Sequence, residues 1–291
     1  MENQRWIPLK DIIIYKKVKY LQTYEGLFDL FSKNKQKDSD DIDAICKRHD
    51  IKNWTINNGL VDVDGYVELS LFSNPISGFM GVGGILTEIP LKFGNVSVDF
   101  DCHDNKLTSL EGAPQSVGRD FNCRRNQLTS LEGGPQSVGG DFYCHNNKLT
   151  SLEGAPQSVV GTFNCGHNQL TSLEGGPQSV GGNFVCQANQ LTSLEGSPKS
   201  VSGNFYCDYN QLRSLEGGPQ SVGGIFFCQG NPVYEVWKLI SPDDKWNEEH
   251  MELLNDYDCI RGGDIVIDRF NEFLRHIGRP EVDSVKGYNN I

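Results

Sequence analysis

Seven cysteines stand on a strict step of 21 residues: Cys102, Cys123, Cys144, Cys165, Cys186, Cys207 and Cys228. Thiolates ligate metals, pair as disulfides or attack electrophiles, so such a column is the first place to look for chemistry. The spacing argues against all three. A zinc site gathers four ligands from pairs such as Cys-x-x-Cys, whereas here one sulfur falls in each copy and no histidine keeps a matching step. A disulfide between adjacent parallel strands is strained, and an odd number leaves one thiol over. What remains is a small hydrophobe filling the interior of each copy. Cys46 and Cys259 lie outside the repeats and are isolated.

Histidine and glutamate give the other candidates. His103, His145 and His167 belong to one outward face, but no serine or cysteine nucleophile accompanies them there. Neither a P-loop, nor Gly-x-Gly-x-x-Gly after a strand, nor His-Glu-x-x-His occurs, and the Gly-Gly pairs are corners rather than phosphate cradles. No catalytic residue, cofactor or metal is therefore expected. Glu111, Glu132, Glu153, Glu174, Glu195 and Glu216 form a second column. Like charges about 5 Å apart repel by roughly 0.8 kcal/mol in water and about 3 kcal/mol at an effective dielectric of 20. The row must face solvent or a counterion.

These columns need a stack of equivalent coils to carry them, and fixed-period repetition is the signature of such a stack. In the copy from Gly139 to Pro156, Phe142 and Cys144 alternate with Asp141, Tyr143 and His145, the period of two of a strand with one buried face. Leu149 and Leu152 fold inward, Gly154 and Pro156 turn the chain, and Val159 re-enters the core before a small-residue corner. Asn105, Asn126, Asn147, Asn168, Asn189, Asn210 and Asn231 keep the same step. A buried amide at a bend pairs with backbone groups, so this column is expected to be structural. One coil cannot bury its open faces alone, so the stack needs neighbours and end caps.

Phe-x-Cys-x-x-Asn-x-Leu-x-x-Leu resembles the leucine-rich repeat in its short bacterial type, with Phe and Cys where Leu is commoner. Asn53-Trp54-Thr55-Ile56-Asn57, Val61-Asp62-Val63-Asp64-Gly65, Ile89-Pro90-Leu91-Lys92-Phe93-Gly94 and the Leu-Thr-Ser-Leu-Glu-Gly repeats are similar to a group of bacteriophage and environmental leucine-rich-repeat proteins. The resemblance covers roughly residues 40 to 232. It implies a parallel-strand solenoid and brings no established activity.

Framework positions repeat; the outward strand positions vary. The candidate protein-contact residues are His103, Arg124, Arg125, His145 and His167, the aromatics Tyr143, Tyr206, Tyr209 and Phe227, and Asp208. Aromatic residues and Arg are enriched at interfaces. The same outward set includes the residue before each phenylalanine: Asp99, Asp120, Asp141, Thr162, Asn183, Asn204 and Ile225. Solvent also tolerates variation, and the sequence leaves that reading open.

Four segments follow: an α/β N-terminal cap (1–65), a degenerate first coil with an apolar, glycine-rich insertion (66–98), the repeat solenoid (99–231) and a C-terminal helical cap (232–291). In the first, Leu27–Phe31 reads as helical, Ile42–His49 as a short helix capped by 38–41, and Trp54–Asp64 as a hairpin around Asn57-Asn58-Gly59. The insertion reads as a loop packed over the solenoid end; the alternative is a mobile contact loop presenting Phe79 and Met80 to a partner. Lys16-Lys17-Val18-Lys19 is too short for a nucleic-acid or membrane patch. In the last segment, helices are expected over Val233–Ile240, Asp243–Asn255 and Ile265–Ile277.

The formal net charge is −12, which disfavours nucleic acid because phosphate backbones repel it, with Arg124 and Arg125 as the one local exception. Nine cysteines, no signal peptide and no long apolar run point to a cytoplasmic setting, with no membrane partner. The reading is an α/β repeat solenoid of short-type leucine-rich repeats with parallel β-strands. Its expected role is non-catalytic protein recognition by the variable strand face, by resemblance in a host cytoplasm. The alternative is a spacer or virion and assembly component. Partner identity and oligomeric state are not written in the sequence.

Overall fold

The computed structural model describes residues 39–70, 86–261 and 263–291. The expected helix at Leu27–Phe31, the cluster Lys16–Lys19 and the insertion with Phe79 and Met80 lie outside these residues. The chain divides into two compact units, Met1–Ile45 and Cys46–Ile291. Helix α1 (Ser39–Arg48) crosses that division and opens within the stretch read as its cap.

The second unit is an α/β repeat solenoid. Each 21-residue coil contributes two short strands to two parallel sheets. The phenylalanine strands, from β5 (Phe100–Asp101) to β17 (Phe226–Phe227), form an eight-stranded sheet together with β3 (Val67–Glu68). Register is strict: Phe142 pairs with Phe163 and Phe163 with Phe184. The sequence reading had only Val159 entering the core. In the structure Ser158–Val159 and its equivalents are strands of a nine-stranded second sheet. The expected hairpin starts that sheet: β1 (Trp54–Asn57) and β2 (Leu60–Val63) are antiparallel, and β2 then pairs parallel with β4 (Phe93–Val96). Asn58 and Gly59 turn the hairpin at φ 51° and 78°, the backbone of a type I′ turn.

Between the sheets lies a column core. Val138, Phe142, Cys144, Leu149 and Leu152 are at most 3% exposed. Successive phenylalanine rings stand 5.1–5.8 Å apart from Phe100 to Phe226, the range of favourable aromatic contact. None of the cysteines is in a disulfide and all are buried. The asparagine column clamps adjacent coils. Asn126 Nδ2 donates to the carbonyls of Cys123 (3.1 Å) and Cys102 (3.0 Å), and its Oδ1 accepts from the Leu107 N–H (3.0 Å). The corner glycines are close-approach positions: a Cβ on Gly139 would lie 2.2 Å from the Gly118 carbonyl oxygen. The glutamate column is exposed, as its mutual repulsion requires.

The last coil is sealed by aromatic rings. Phe226 meets Trp237 and Trp246 at 4.9 and 4.6 Å, and its N–H donates to the Asp244 carbonyl (2.8 Å). This changes the expected helix layout. Helix α2 (Tyr234–Ile240) matches the sequence pattern, but Asp243–Lys245 cover the solenoid end. Helix α3 therefore begins later, as Glu248–Asp256, with Asn247 as the N-cap accepting from the His250 N–H. Ile260–Arg261, Asp264–Ile265 and Asn289–Asn290 form a small sheet that the helical reading had missed, and α4 is Ile267–His276. No helix among the described residues is long and apolar enough to cross a membrane.

Candidate binding face

The outward side of the phenylalanine strands carries three columns, one from the residue before Phe, one from the residue after it, and one from the pair after Cys. The first is a ladder. Asp99, Asp120 and Asp141 accept the backbone N–H of residues 120, 141 and 162 at 3.1, 2.8 and 2.6 Å. Thr162, Asn183 and Asn204 continue it to residues 183, 204 and 225. These residues were expected among the outward contact set. Their variation is instead confined to side chains that carry an acceptor, because each must satisfy an N–H in the next coil. Ile225 ends the ladder, and Lys245 bridges it there.

The remaining columns hold the candidate contact residues, grouped by chemistry along the stack. At the N-terminal end His103 is half-buried. Its Nδ1 meets the Asp101 carboxylate and its Nε2 lies 3.4 Å from Asp104 Oδ2. Asp101 also accepts from Asn122 Nδ2 (2.9 Å). Glu68, one strand earlier, lies close by: ligand atoms of Glu68, Asp101 and His103 fall within 4.8 Å of one another. Glu68 belongs to this site and was not among the expected residues. Val67-Glu68-Leu69, which the sequence marks as the start of a degenerate first coil, aligns with Phe100-Asp101-Cys102. Burial raises the Glu68 carboxyl pKa, and the Asp101 charge adds to this. As placed, both imidazole nitrogens of His103 face carboxylates.

The middle of the face is cationic. Arg125 is exposed and lies 3.6 Å from Asp104. Arg124 is half-buried and forms no ion pair among the described residues. Beside it, His145 is half-buried and its Nδ1 is covered without a hydrogen-bond partner. Burial first, then the Arg124 and Arg125 guanidinium groups, lower the His145 pKa to about 4. Tyr143 stands edge-on to that ring at 6.0 Å and donates its hydroxyl to Asp141 Oδ2 (2.5 Å). Burial and that bond push its pKa up to about 12. His167 is exposed one coil further on.

The chain matches no protein-family model, no curated protein and no solved structure.

The C-terminal third of the face is aromatic. Tyr206 and Phe227 lie flat on each other, 4.8 Å between centroids and 2° between planes. Asn204 Nδ2 donates to the Tyr206 hydroxyl (2.9 Å). Tyr209 is 65% exposed. Its ring lies over Gly230, where a Cβ would approach Tyr209 Cδ1 to 2.7 Å. Asp208 departs from its expected outward role. It is 9% exposed and accepts the Gln229 N–H (3.0 Å), and burial raises its pKa. The carboxylate is used to hold the last coil.

A shallow groove of about 660 Å³ follows the other sheet, beside Asp62, Asp64, Asn95 and Ser116. Several of its polar groups are matched internally. Asp62 accepts from the Asn95 N–H (2.6 Å), Asp64 from Ser97 Oγ (2.9 Å), and Asn95 from Ser116 Oγ (2.5 Å). The phenylalanine face has more left to offer a ligand, since Arg124 is partly exposed and has no ion-pair partner among the described residues.

Proposed function

We propose that this chain is a non-catalytic recognition scaffold that binds a protein partner through the phenylalanine-strand face. One observation carries the reading. The second residue after each repeat cysteine is held in the left-handed region, at φ 54° for Asp104, 52° for Arg125, 57° for Asn146, 53° for His167, 54° for Ala188 and 54° for Tyr209. That conformation costs an ordinary L-residue about 1–2 kcal/mol, and glycine almost nothing. Glycine is used there only in the last coil, at Gly230 (φ 77°). Arg125, His167 and Tyr209 add nothing to the core, since they are exposed. Large side chains kept at a strained bend and turned to solvent fit a surface selected for contact.

The test is partner capture with Tyr206→Ala, Tyr209→Ala and Phe227→Ala. The expected result is loss of a specific partner while the variant stays folded, the melting temperature falling by no more than the lost Tyr206–Phe227 stacking accounts for. Full retention of that partner by the triple variant would refute the assignment.

A spacer or assembly role is the second reading. It is favoured by the unbroken asparagine clamp from Asn105 to Asn231, which ties every coil to its neighbour. A spacer would be indifferent to the aromatic changes and sensitive to deletion of one whole coil, residues 160–180. The resemblance to phage and environmental leucine-rich-repeat proteins suggests a host factor as partner. Nine buried cysteines without a disulfide suit a reducing cytoplasm.

A further inference from the structure

Resting on that recognition reading, we infer that the partner is a peptide segment in extended form, with a carboxylate side chain at Arg124 and His145 and an aromatic side chain on the Tyr206–Phe227 shelf. One unmatched charge marks the first position. Arg124 is a half-buried guanidinium with no ion-pair partner among the described residues, although Arg125 next to it has Asp104 at 3.6 Å. The neighbouring His145 ring borders it, with its Nδ1 covered and without a hydrogen-bond partner. The guanidinium fork of Arg124 matches the two oxygens of a carboxylate. Nearby Asp104, Asp120 and Asp141 favour a singly charged ligand over a more highly charged one.

The second position is the flat Tyr206–Phe227 pair, which presents a stacking surface. Between the two sites Asn164, Gly166 and Val185 carry no large ring, with the Gln187 side chain beside Gly166 and the exposed His167 at the bend. The centres of the two pairs are four coil steps apart, and at about 4.8 Å per step this is roughly 19 Å. An extended chain advances about 3.3 Å per residue. The carboxylate and the aromatic residue are therefore about six residues apart. This spacing defines the ligand.

The experiment uses the full chain and two fluorescent 14-residue probes, one for each chain direction. Each carries Glu and Phe six residues apart in a Gly-Ser background. Anisotropy is expected to show binding by one probe. It should weaken about tenfold when the probe Glu becomes Gln, or when Glu and Phe are set two residues apart. Arg124→Met, which keeps the aliphatic stem, should cause the same loss. Arg124→Glu should instead favour a probe with Lys in place of Glu. Indifference to Arg124→Met or to the Glu-to-Gln exchange would overturn the inference, as would no binding by either probe. A captured partner that depends on Tyr206 and Phe227 but ignores Arg124→Met would sink this inference and leave the recognition reading standing. Loss of both dependences would remove both.

Discussion

The Asp120 carboxylate accepts the backbone N–H of Asp141, one full coil further along the chain, at 2.8 Å. A surface acid is thereby tied into the frame of the solenoid. Asp120→Ala should lower stability by about 1 kcal/mol, because an inter-coil N–H loses its acceptor. Asp120→Asn keeps an oxygen in place and should be nearly neutral. Urea denaturation of the two variants makes the comparison, and equal losses would show that the ladder contributes nothing.

Ala188 sits at φ 54° with only a methyl group to lose. Ala188→Gly should raise stability by up to about 1 kcal/mol, since relief of the left-handed strain exceeds the added entropy of the unfolded chain. Ala188→Val should lower it. A destabilised glycine variant would mean that the bend is not strained.

Burial holds the thiols of Cys102 to Cys228 well above their usual pKa, and lifts Cys259 to about 11. The native chain should leave a thiol reagent untouched at pH 8, because thiolate is the reactive form. The denatured chain should take up nine equivalents, one for each cysteine. Rapid labelling under native conditions would show that the coils open readily.

Two imidazoles govern the response to acid. His49 and His145 are each lowered from 6.5 to about 4, by burial first and then by nearby arginines. Once unfolded, the chain takes up these protons near pH 6.5, whereas the folded chain resists until about 4. Their contribution is therefore intact above pH 6.5 and is lost as pH falls toward 4. Glu68 and Asp208, with raised pKa values, act in the opposite sense: what they contribute is present in acid and lost as pH rises through the raised value. The urea midpoint should fall between pH 7.5 and pH 5, and His145→Gln should recover part of that fall. An unchanged slope in the variant would remove His145 from the explanation.

The column core was legible because Phe, Cys, Leu and Asn recur at a fixed step and the strand alternates with period two. The hairpin was legible from Asn58-Gly59, whose backbone preference is local. Ser158–Val159 was not seen as a strand, since two residues leave no alternation to detect. The residue before each Phe looked free to vary. Its rule, an acceptor in every coil but the last, needs the neighbouring coil in view. Asp208 resembled a surface acid because its partner is a backbone N–H in the following repeat. The start of α3 was misplaced because Asp243 and Asp244 mimic a cap while serving the end of the solenoid. On the candidate face, residue types were readable, but the unpaired state of Arg124 was visible only with its neighbours in place.

Because Ile225 is the rung that accepts nothing, the stack has a written terminus. Every interior coil from Asp120 to Asn204 receives an oxygen from behind and offers one forward. The final unit cannot be copied inward, since the block after it would meet a hydrocarbon where it needs oxygen.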